Sequence, residues 1–174
     1  MNDRELIKQY LNGSDNAFDL FYKKYKDKVF RYALGVLCDY TQAEEVAAIS
    51  WKKFVEKVET INGEPGGYLF AILRSKVLDS FRCSSINKGD DVCTDDLEAY
   101  VGNIDHAELE IVFEELRALP LLQREVVLLK HIGGYTVNEI ASLHDVSNET
   151  VKSRLRYALE KLRCRLRLVG GYDD

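Results

Sequence analysis

The stretch TVNEIASLHDVSNETVKSRLRY, residues 136–157, decides the fold of the C-terminal part of the chain. Thr136 and Glu139 have the spacing of a capping box, which predicts that a short helix begins there. A tight turn is predicted at Asp145, and Ser147 is placed to cap a longer second helix. A short helix, a tight turn and a second helix together are the layout of a helix-turn-helix motif.

The second helix of this motif carries a local excess of positive charge. Residues 148–168 hold seven Lys and Arg and two acids, although the 174-residue chain has 24 Lys and Arg against 29 Asp and Glu. A two-helix hairpin with a solvated basic face is the alternative interpretation. The short first helix and the capped second helix favour a helix that enters a DNA major groove. The residues predicted to contact DNA are Lys152, Ser153, Arg154, Arg156 and Tyr157.

The remaining segments also have the periodicity of helices, and no strand-like alternation is present. Thr41 and Glu44 have the spacing of a second capping box and predict a helix over 41–59, with Val55 on its inner face. The glycines and proline of 63–67 predict a turn. Another helix is predicted to follow that turn.

Between the helical segments lies a stretch of different composition. Residues 83–106 show little periodicity, and residues 83–110 carry a net charge of −7. Such a composition predicts a flexible acidic linker. The sequence therefore predicts an all-α fold with two small helical domains at 1–82 and 107–169, an acidic linker at 83–106 and a tail at 170–174.

Two sets of motifs in this sequence carry a family resemblance. One set resembles region 4 of bacterial RNA polymerase sigma factors: Leu119-Pro120, Gln123-Arg124-Glu125-Val126, Glu139-Ile140-Ala141 and Thr150-Val151-Lys152-Ser153-Arg154-Leu155. The other set resembles region 2: Ala17-Phe18 with Phe21-Tyr22, Ala43-Glu44-Glu45-Val46 with Trp51 and Phe54, and Tyr68 to Arg74 with Asp79 and Arg82. Because it has only these two regions, the chain is similar to the small extracytoplasmic-function (ECF) sigma factors.

The resemblance implies three interaction surfaces. A polymerase-binding surface would be formed by Glu44, Glu45, Ala48, Ile49, Lys52 and Lys53. A surface for the −10 element would be formed by Tyr68, Arg74, Ser75 and Lys76, although Tyr68 could equally be a core residue. The predicted second helix of the helix-turn-helix would contact the −35 element. The implied partners are core RNA polymerase and promoter DNA, with an anti-sigma factor as a further candidate, and no cofactor or metal is implied.

The chain differs from the usual family pattern at a few positions. Ala48 and Ile49 stand where a glutamine and an acid are usual, Ser75 where an asparagine is common, and Asp145 where a glycine is usual. Two alternatives therefore stay open beside the sigma factor. One is a helix-turn-helix regulator that binds DNA without polymerase, and the other is a sigma-like protein that has lost polymerase binding.

Other function classes have little support in the sequence. The three histidines, His106, His131 and His144, lie far apart without metal-ligand spacing or a nucleophile motif, so no enzyme is predicted. The four cysteines contain no close pair, which predicts reduced thiols. No apolar run approaches the length of about 18 residues that a membrane span needs, and the polar start is unlike a secretory signal. A cytoplasmic protein without membrane insertion is therefore expected.

Overall fold

The structure is a computed structural model that describes residues 2–86 and 106–170, with side chains described over 2–83 and 111–164. All regular structure in these ranges is helical, which confirms the predicted all-α class. The helices are α1 Asp3–Leu11, α2 Asp15–Leu37, α3 Tyr40–Lys57, α4 Pro65–Ile86, α5 His106–Arg117, α6 Leu121–Leu128, α7 Val137–His144 and α8 Asn148–Gly170.

The chain divides into two compact units, Met1–Val92 and Cys93–Asp174. The division falls inside the stretch predicted as a linker. Helix α4 runs to Ile86 and so occupies the first residues of that stretch. Residues 87–105 of the predicted linker and residues 171–174 of the predicted tail lie outside the described residues.

Aromatic side chains build the core of the first unit. Phe21 on α2 and Phe54 on α3 stack with their ring centroids 5.2 Å apart, and Trp51 meets both rings edge-on at 6.1 Å. Phe70 of α4 is 1% exposed and meets the ring of Tyr32 on α2 at 5.8 Å. Such aromatic pairs contribute stability beyond their buried area. The core therefore holds α2, α3 and α4 in fixed positions.

Two details of α3 differ from the sequence-based expectation. The N-cap is Asp39 and not Thr41, because the Asp39 carboxylate accepts a 2.8 Å hydrogen bond from the backbone N–H of Gln42. Val55, predicted inside, is 39% exposed. Ser50 is buried instead and donates to the carbonyl of Val46, which allows a hydroxyl to lie in the core.

The predicted turn over 63–67 is shorter than expected. Helix α4 already begins at Pro65, a residue type that suits the first helical position because its missing N–H would have no partner there. Gly66 and Gly67 therefore lie in the first helical turn and not in a loop. At Gly66, α4 approaches Tyr25 of α2 so closely that a Cβ would overlap the Tyr25 hydroxyl.

The second unit contains α5 to α8. Helix α6 ends at Leu128 and continues as a π-helical turn, Leu129–Gly133, closed by Gly134 at φ +74°. The apolar spacing of residues 122–132 predicts one continuous helix, whereas the structure has an α-helix followed by this turn. The spacing of Val112 predicts an inner position on α5, but its side chain is 42% exposed. The core of the unit consists of fully buried side chains from three helices and the π turn: Val126, Leu129, Ile140, Val151 and Ala158.

Candidate functional site

The first helix of the helix-turn-helix begins at the predicted capping box. The Thr136 hydroxyl accepts from the backbone N–H of Glu139 at 3.2 Å, and the Glu139 carboxylate accepts from the backbone N–H of Thr136 at 2.7 Å. The hydrogen bond from the backbone of Thr136, followed by one from its hydroxyl, lowers the pKa of Glu139. In its charged form, the Glu139 carboxylate accepts these hydrogen bonds and so fixes the start of α7.

The turn between the two helices depends on a left-handed residue. Asp145 has φ 52° and ψ 50°, a conformation that Asp tolerates better than most residues. The backbone N–H of Val146 then reaches the carbonyl of Ala141 at 3.0 Å, as in a Schellman motif. The hydroxyl of Ser147 accepts from the backbone N–H of Thr150 at 3.2 Å and caps α8 as predicted.

Buried polar residues hold the helix-turn-helix on its support. The imidazole Nε2 of His144, at the end of α7, lies 3.6 Å from the carboxylate of Glu125 on α6, and both side chains are at most 2% exposed. The guanidinium of Arg124 donates to the carbonyls of Arg117 and Leu119 at 2.9 and 3.3 Å. Buried polar groups need such partners. Here the partners come from different helices, so the contacts connect α5, α6 and α7.

Helix α8 presents a basic surface to solvent. Lys152, Arg156 and Tyr157 are exposed, Ser153 is half-buried beside them, and the four residues share one arc of the helix. The Arg156 guanidinium lies over the Tyr157 ring at 5.0 Å, and Lys152 forms an exposed ion pair with Glu149 at 2.9 Å. Exposed pairs of this kind are weak, so Lys152 can exchange its partner for a phosphate.

Arg154 lies at the edge of this arc, next to the buried face of α8. It is half-buried, and within the described side chains it makes no ion pair with an acid. A purely stabilising role, in which Arg154 would pair with a neighbouring carboxylate, has no such ion pair to support it among the described side chains.

Helix α4 presents the residues predicted for the −10 element across a broad face. Tyr68 and Ser75 are seven residues apart and occupy the middle of that face, while Arg74 and Lys76 flank it on opposite sides. Tyr68 is half-buried, with its ring centroid 6.4 Å from that of Phe54. Tyr68 therefore packs partly on the core, and part of its side chain remains accessible to solvent.

The residues predicted to bind polymerase all lie on the exposed side of α3. These residues are Glu44, Glu45, Ala48, Ile49, Lys52 and Lys53. Ile49 is 37% exposed beside Ala48, so this face has an apolar patch between charged residues. The Tyr40 hydroxyl donates to Glu44 at 3.3 Å. The arrangement suits a partner surface that is partly apolar and partly charged.

The edge of α3 that borders α4 brings two of these predicted surfaces together. Lys76 on α4 lowers the pKa of Lys53 on α3, first through a side-chain hydrogen bond and then through Coulomb repulsion between the two ammonium groups. No sequence pattern indicates this effect, because the two lysines are 23 positions apart and interact only through the packing of α3 on α4.

Among the side chains described, those of 2–83 and 111–164, no group of three metal-binding residues occurs. None of the helices there combines the length and the apolar character that crossing a bilayer requires. Cys38, Cys83 and Cys164 form no disulfide among the described residues, and Cys93 lies outside them.

Comparison with known proteins identifies the family. The family model for Sigma-70 region 2 matches residues 21–85, and the model for Sigma-70, region 4 matches residues 109–162. Two curated relatives match nearly the whole chain. The ECF RNA polymerase sigma-E factor of Haemophilus influenzae is 24% identical over 93% of this chain and 94% of its own length, and the ECF RNA polymerase sigma factor SigK of Mycobacterium bovis is 27% identical over 93% and 92%. The chain belongs to the ECF sigma factors.

Two solved structures have the same fold as this sigma factor. One is the sigma factor RpoE of Bartonella quintana in complex with the anti-sigma factor NepR, with a TM-score of 0.69 at 19% identity, covering 86% of this chain and 96% of that one. The other is CnrH in complex with the cytosolic domain of CnrY, with a TM-score of 0.70 at 22% identity, covering 95% and 97%.

The family matches coincide with the candidate surfaces. The region 2 match contains α3 and nearly all of α4, and therefore every residue of the two surfaces on the first unit. The region 4 match contains α6 and α7 and the part of α8 that carries the basic arc. The resemblance noted in the sequence is thus confirmed at the level of the family.

Proposed function

We propose that this ECF sigma factor binds core RNA polymerase through the exposed face of α3 and directs it to promoters that α4 and α8 contact. The observation that carries this proposal is the coexistence, in one chain, of a helix-turn-helix unit and a second helical unit with an exposed apolar patch on α3. A regulator acting without polymerase would need only α5 to α8. The family match to region 2 leaves that alternative without support.

The proposed contact with the −35 element uses the basic arc of α8. Lys152, Ser153, Arg156 and Tyr157 lie on one solvent-facing side, with Arg154 at its edge. A major groove about 12 Å wide accepts a helix of this kind. Lysines neutralise phosphates and release counterions, whereas an arginine can also hydrogen-bond to both acceptors of a guanine edge. The arc therefore combines general attraction with base discrimination.

The proposed contact with the −10 element uses the broad face of α4. Tyr68 offers a ring on which an unstacked base can pack, and Ser75 offers a hydroxyl on the same face. Arg74 and Lys76 lie at the two edges, where the backbone of an opened strand would pass. Aromatic stacking combined with cationic contacts is the usual way to hold single-stranded DNA. Capturing an unstacked base offsets the few kcal/mol that opening costs.

The test of the proposal is binding of the full chain to purified core RNA polymerase. Ile49→Glu should weaken that binding, since it places a charge in the apolar patch of α3, while the helical content stays unchanged. A matched control is Leu20→Glu, because Leu20 is a similarly exposed apolar residue on α2 and lies outside the proposed surface. Wild-type core affinity for Ile49→Glu would remove this surface from the proposal. Absence of any core binding by the wild-type chain would remove the proposal itself.

A second experiment separates the proposal from the polymerase-free regulator. The free protein should bind promoter DNA poorly, because two small DNA-contacting units on one chain gain avidity only when their separation is fixed. Adding core polymerase should raise promoter affinity by orders of magnitude. Tight and sequence-specific binding by the isolated chain would instead favour the regulator.

An anti-sigma factor is a further proposed partner. The proposal is supported by the two solved structures of similar fold, since one contains the anti-sigma factor NepR and the other the cytosolic domain of CnrY. A protein of this kind would compete with core polymerase for the exposed face of α3. The competition can be measured by displacement of labelled sigma factor from core polymerase.

A further inference from the structure

The first turn of α4, which leads directly into Tyr68, has a sequence that is weak as a helix. It begins Pro65-Gly66-Gly67, and glycine is among the poorest helix formers because it loses the most backbone freedom on folding. The backbone N–H of Tyr68 donates to the carbonyl of Glu64 at 3.0 Å and so closes this turn. Local propensity does not hold such a turn, so its order has to come from contacts with other helices.

Tyr25 on α2 supplies one of these contacts. Its hydroxyl lies so close to Gly66 that a Cβ there would overlap it. The same hydroxyl donates to the carboxylate of Asp3 on α1 at 2.5 Å, and the second oxygen of that carboxylate accepts from Lys24. Asp3 is only 8% exposed, and a hydrogen bond to a carboxylate shielded from water is strong. Asp3 therefore fixes the ring that rests against the first turn of α4.

A second contact from α1 reaches the residue just before that turn. The guanidinium Nε of Arg4 lies 2.8 Å from the carboxylate of Glu64, whose carbonyl accepts the hydrogen bond that closes the turn. Both side chains are exposed, so this ion pair is the weaker of the two contacts. Helix α1 thus restrains the start of α4 at two points, once through Tyr25 and once directly.

We infer that Asp3, supported by Arg4, is a positioning residue for the capture of an unstacked −10 base by Tyr68. The inference rests on the proposed function, because it acts through a residue of the α4 surface. Helix α1 precedes the region 2 match, which begins at residue 21. The Tyr68 ring lies 6.4 Å from that of Phe54, but the direction of its Cα–Cβ bond depends on the turn that α1 restrains. A ring held in one orientation loses less entropy when it binds a base.

The test measures DNA binding by the full chain in complex with core polymerase. The DNA is a fork-junction fragment with an opened −10 strand, selected from a randomised library with the wild-type holoenzyme. Tyr68→Ala removes the stacking ring and should lower the affinity by about 5- to 150-fold. Asp3→Ala should lower it by about threefold or more, but by no more than Tyr68→Ala. In the Tyr68→Ala background, Asp3→Ala should cost nothing further, since it acts through that ring.

Tyr25→Phe is a milder variant that keeps the ring and removes only the hydroxyl. It should fold like the wild type and lower the DNA affinity in the same way as Asp3→Ala. In both variants, hydrogen exchange of the Tyr68 amide should become faster, because the first turn of α4 opens more often. Core affinity should stay at the wild-type value, because neither residue lies on the exposed face of α3.

Two control variants separate positioning from general stability. Val36 is fully buried on α2, eleven residues beyond Tyr25, so Val36→Ala should lower Tm through a cavity and leave the DNA affinity unchanged. Gly67→Ala should restore DNA affinity to Asp3→Ala, because alanine favours the helical turn. A Cβ at Gly67 has room, since its nearest neighbour lies at 3.9 Å.

Three results would overturn the inference. One is DNA affinity within threefold of wild type for both Asp3→Ala and Tyr25→Phe while Tyr68→Ala loses binding. Another is an equal loss from Asp3→Ala with and without the Tyr68 ring, since Asp3 would then act elsewhere. The third is a loss of DNA affinity in Val36→Ala that matches its loss of Tm, since stability alone would then explain the effect. All three are distinct from failure of the proposed function, in which the wild-type chain binds neither core polymerase nor promoter.

Discussion

Gly66→Ala should destabilise the first unit, whereas Gly67→Ala in the same helical turn should not. A Cβ at Gly66 would overlap the hydroxyl of Tyr25 and lie 2.5 Å from its Cζ, although carbon atoms in contact normally lie about 3.5–4.0 Å apart. A Cβ at Gly67 would meet its nearest neighbour, the Cβ of Glu64, at an ordinary 3.9 Å. The two substitutions are therefore a matched pair that differs in one contact.

The cost at Gly66 is large because Tyr25 cannot move away freely. Its hydroxyl donates to the carboxylate of Asp3 at 2.5 Å, and the second oxygen of that carboxylate accepts from Lys24. Overpacking a filled site costs about 1–3 kcal/mol, and losing a hydrogen bond to a charged group costs about 1.5–3 kcal/mol. Replacing a helical glycine with alanine returns about 0.5–1 kcal/mol. The net loss should be about 1.5–5.5 kcal/mol.

Fluorescence of Trp51 measures this loss selectively. It is the single tryptophan of the chain and packs against Phe21 and Phe54, so its emission reports unfolding of the first unit. For a unit of this size, each kcal/mol lowers Tm by about 4–8 °C. Gly66→Ala should therefore melt at least about 6 °C below wild type, and Gly67→Ala at or slightly above it.

A double-mutant cycle identifies the physical cause. In a Tyr25→Ala background the ring is absent, so Gly66→Ala should be neutral or slightly stabilising. The reasoning is refuted if Gly66→Ala is as stable as Gly67→Ala. It is also refuted if the full cost of Gly66→Ala persists when the ring of Tyr25 has been removed, since the clash would then lie elsewhere.

Three further predictions concern the helix-turn-helix unit. Thr136→Ala should cost about 1 kcal/mol through loss of the cap, measured as faster hydrogen exchange of the α7 amides. The pKa of Glu139 is lowered from 4.5 in the folded protein, so its carboxylate stabilises the fold fully above that pH. This stabilisation is lost as the pH falls through the pKa of the folded state. The loss should be smaller in Glu139→Gln, measured by urea unfolding between pH 7 and pH 3. Arg154→Ala should reduce the binding free energy at the selected −35 sequence by about 1–3 kcal/mol and relax the base preference there. Arg163 is exposed and lies more than two turns later, so Arg163→Ala should weaken binding to all sequences evenly. Loss of thermal stability with unchanged base preference in Arg154→Ala would contradict the groove contact.

The sequence by itself determined the elements whose signals are local. The capping box at Thr136 and Glu139, the left-handed turn at Asp145 and the cap at Ser147 depend on hydrogen bonds within a few residues. Each of these signals is contained in the stretch that forms the structure, and each prediction is confirmed. The family was also predictable, because its motifs are short and the region 2 set precedes the region 4 set along the chain.

Only the tertiary structure decided the features that depend on packing between helices. Thr41 and Asp39 both lie close to the start of α3, and the structure begins the helix at Tyr40, whose ring packs against Phe30 on α2 at 5.2 Å. Burial of Tyr40 against another helix favours Asp39 as the cap, and the local pattern contains no information on that neighbour.

The same reason applies to the effect of Lys76 on the pKa of Lys53 and to the close approach of Tyr25 to Gly66. Helical periodicity gives the direction of each side chain around its own axis, but the crossing of two helices depends on the shapes of all the side chains between them. A lysine on the exposed side of α3 is therefore predictable from its spacing. Its nearest partner becomes known only when α3 and α4 are packed together.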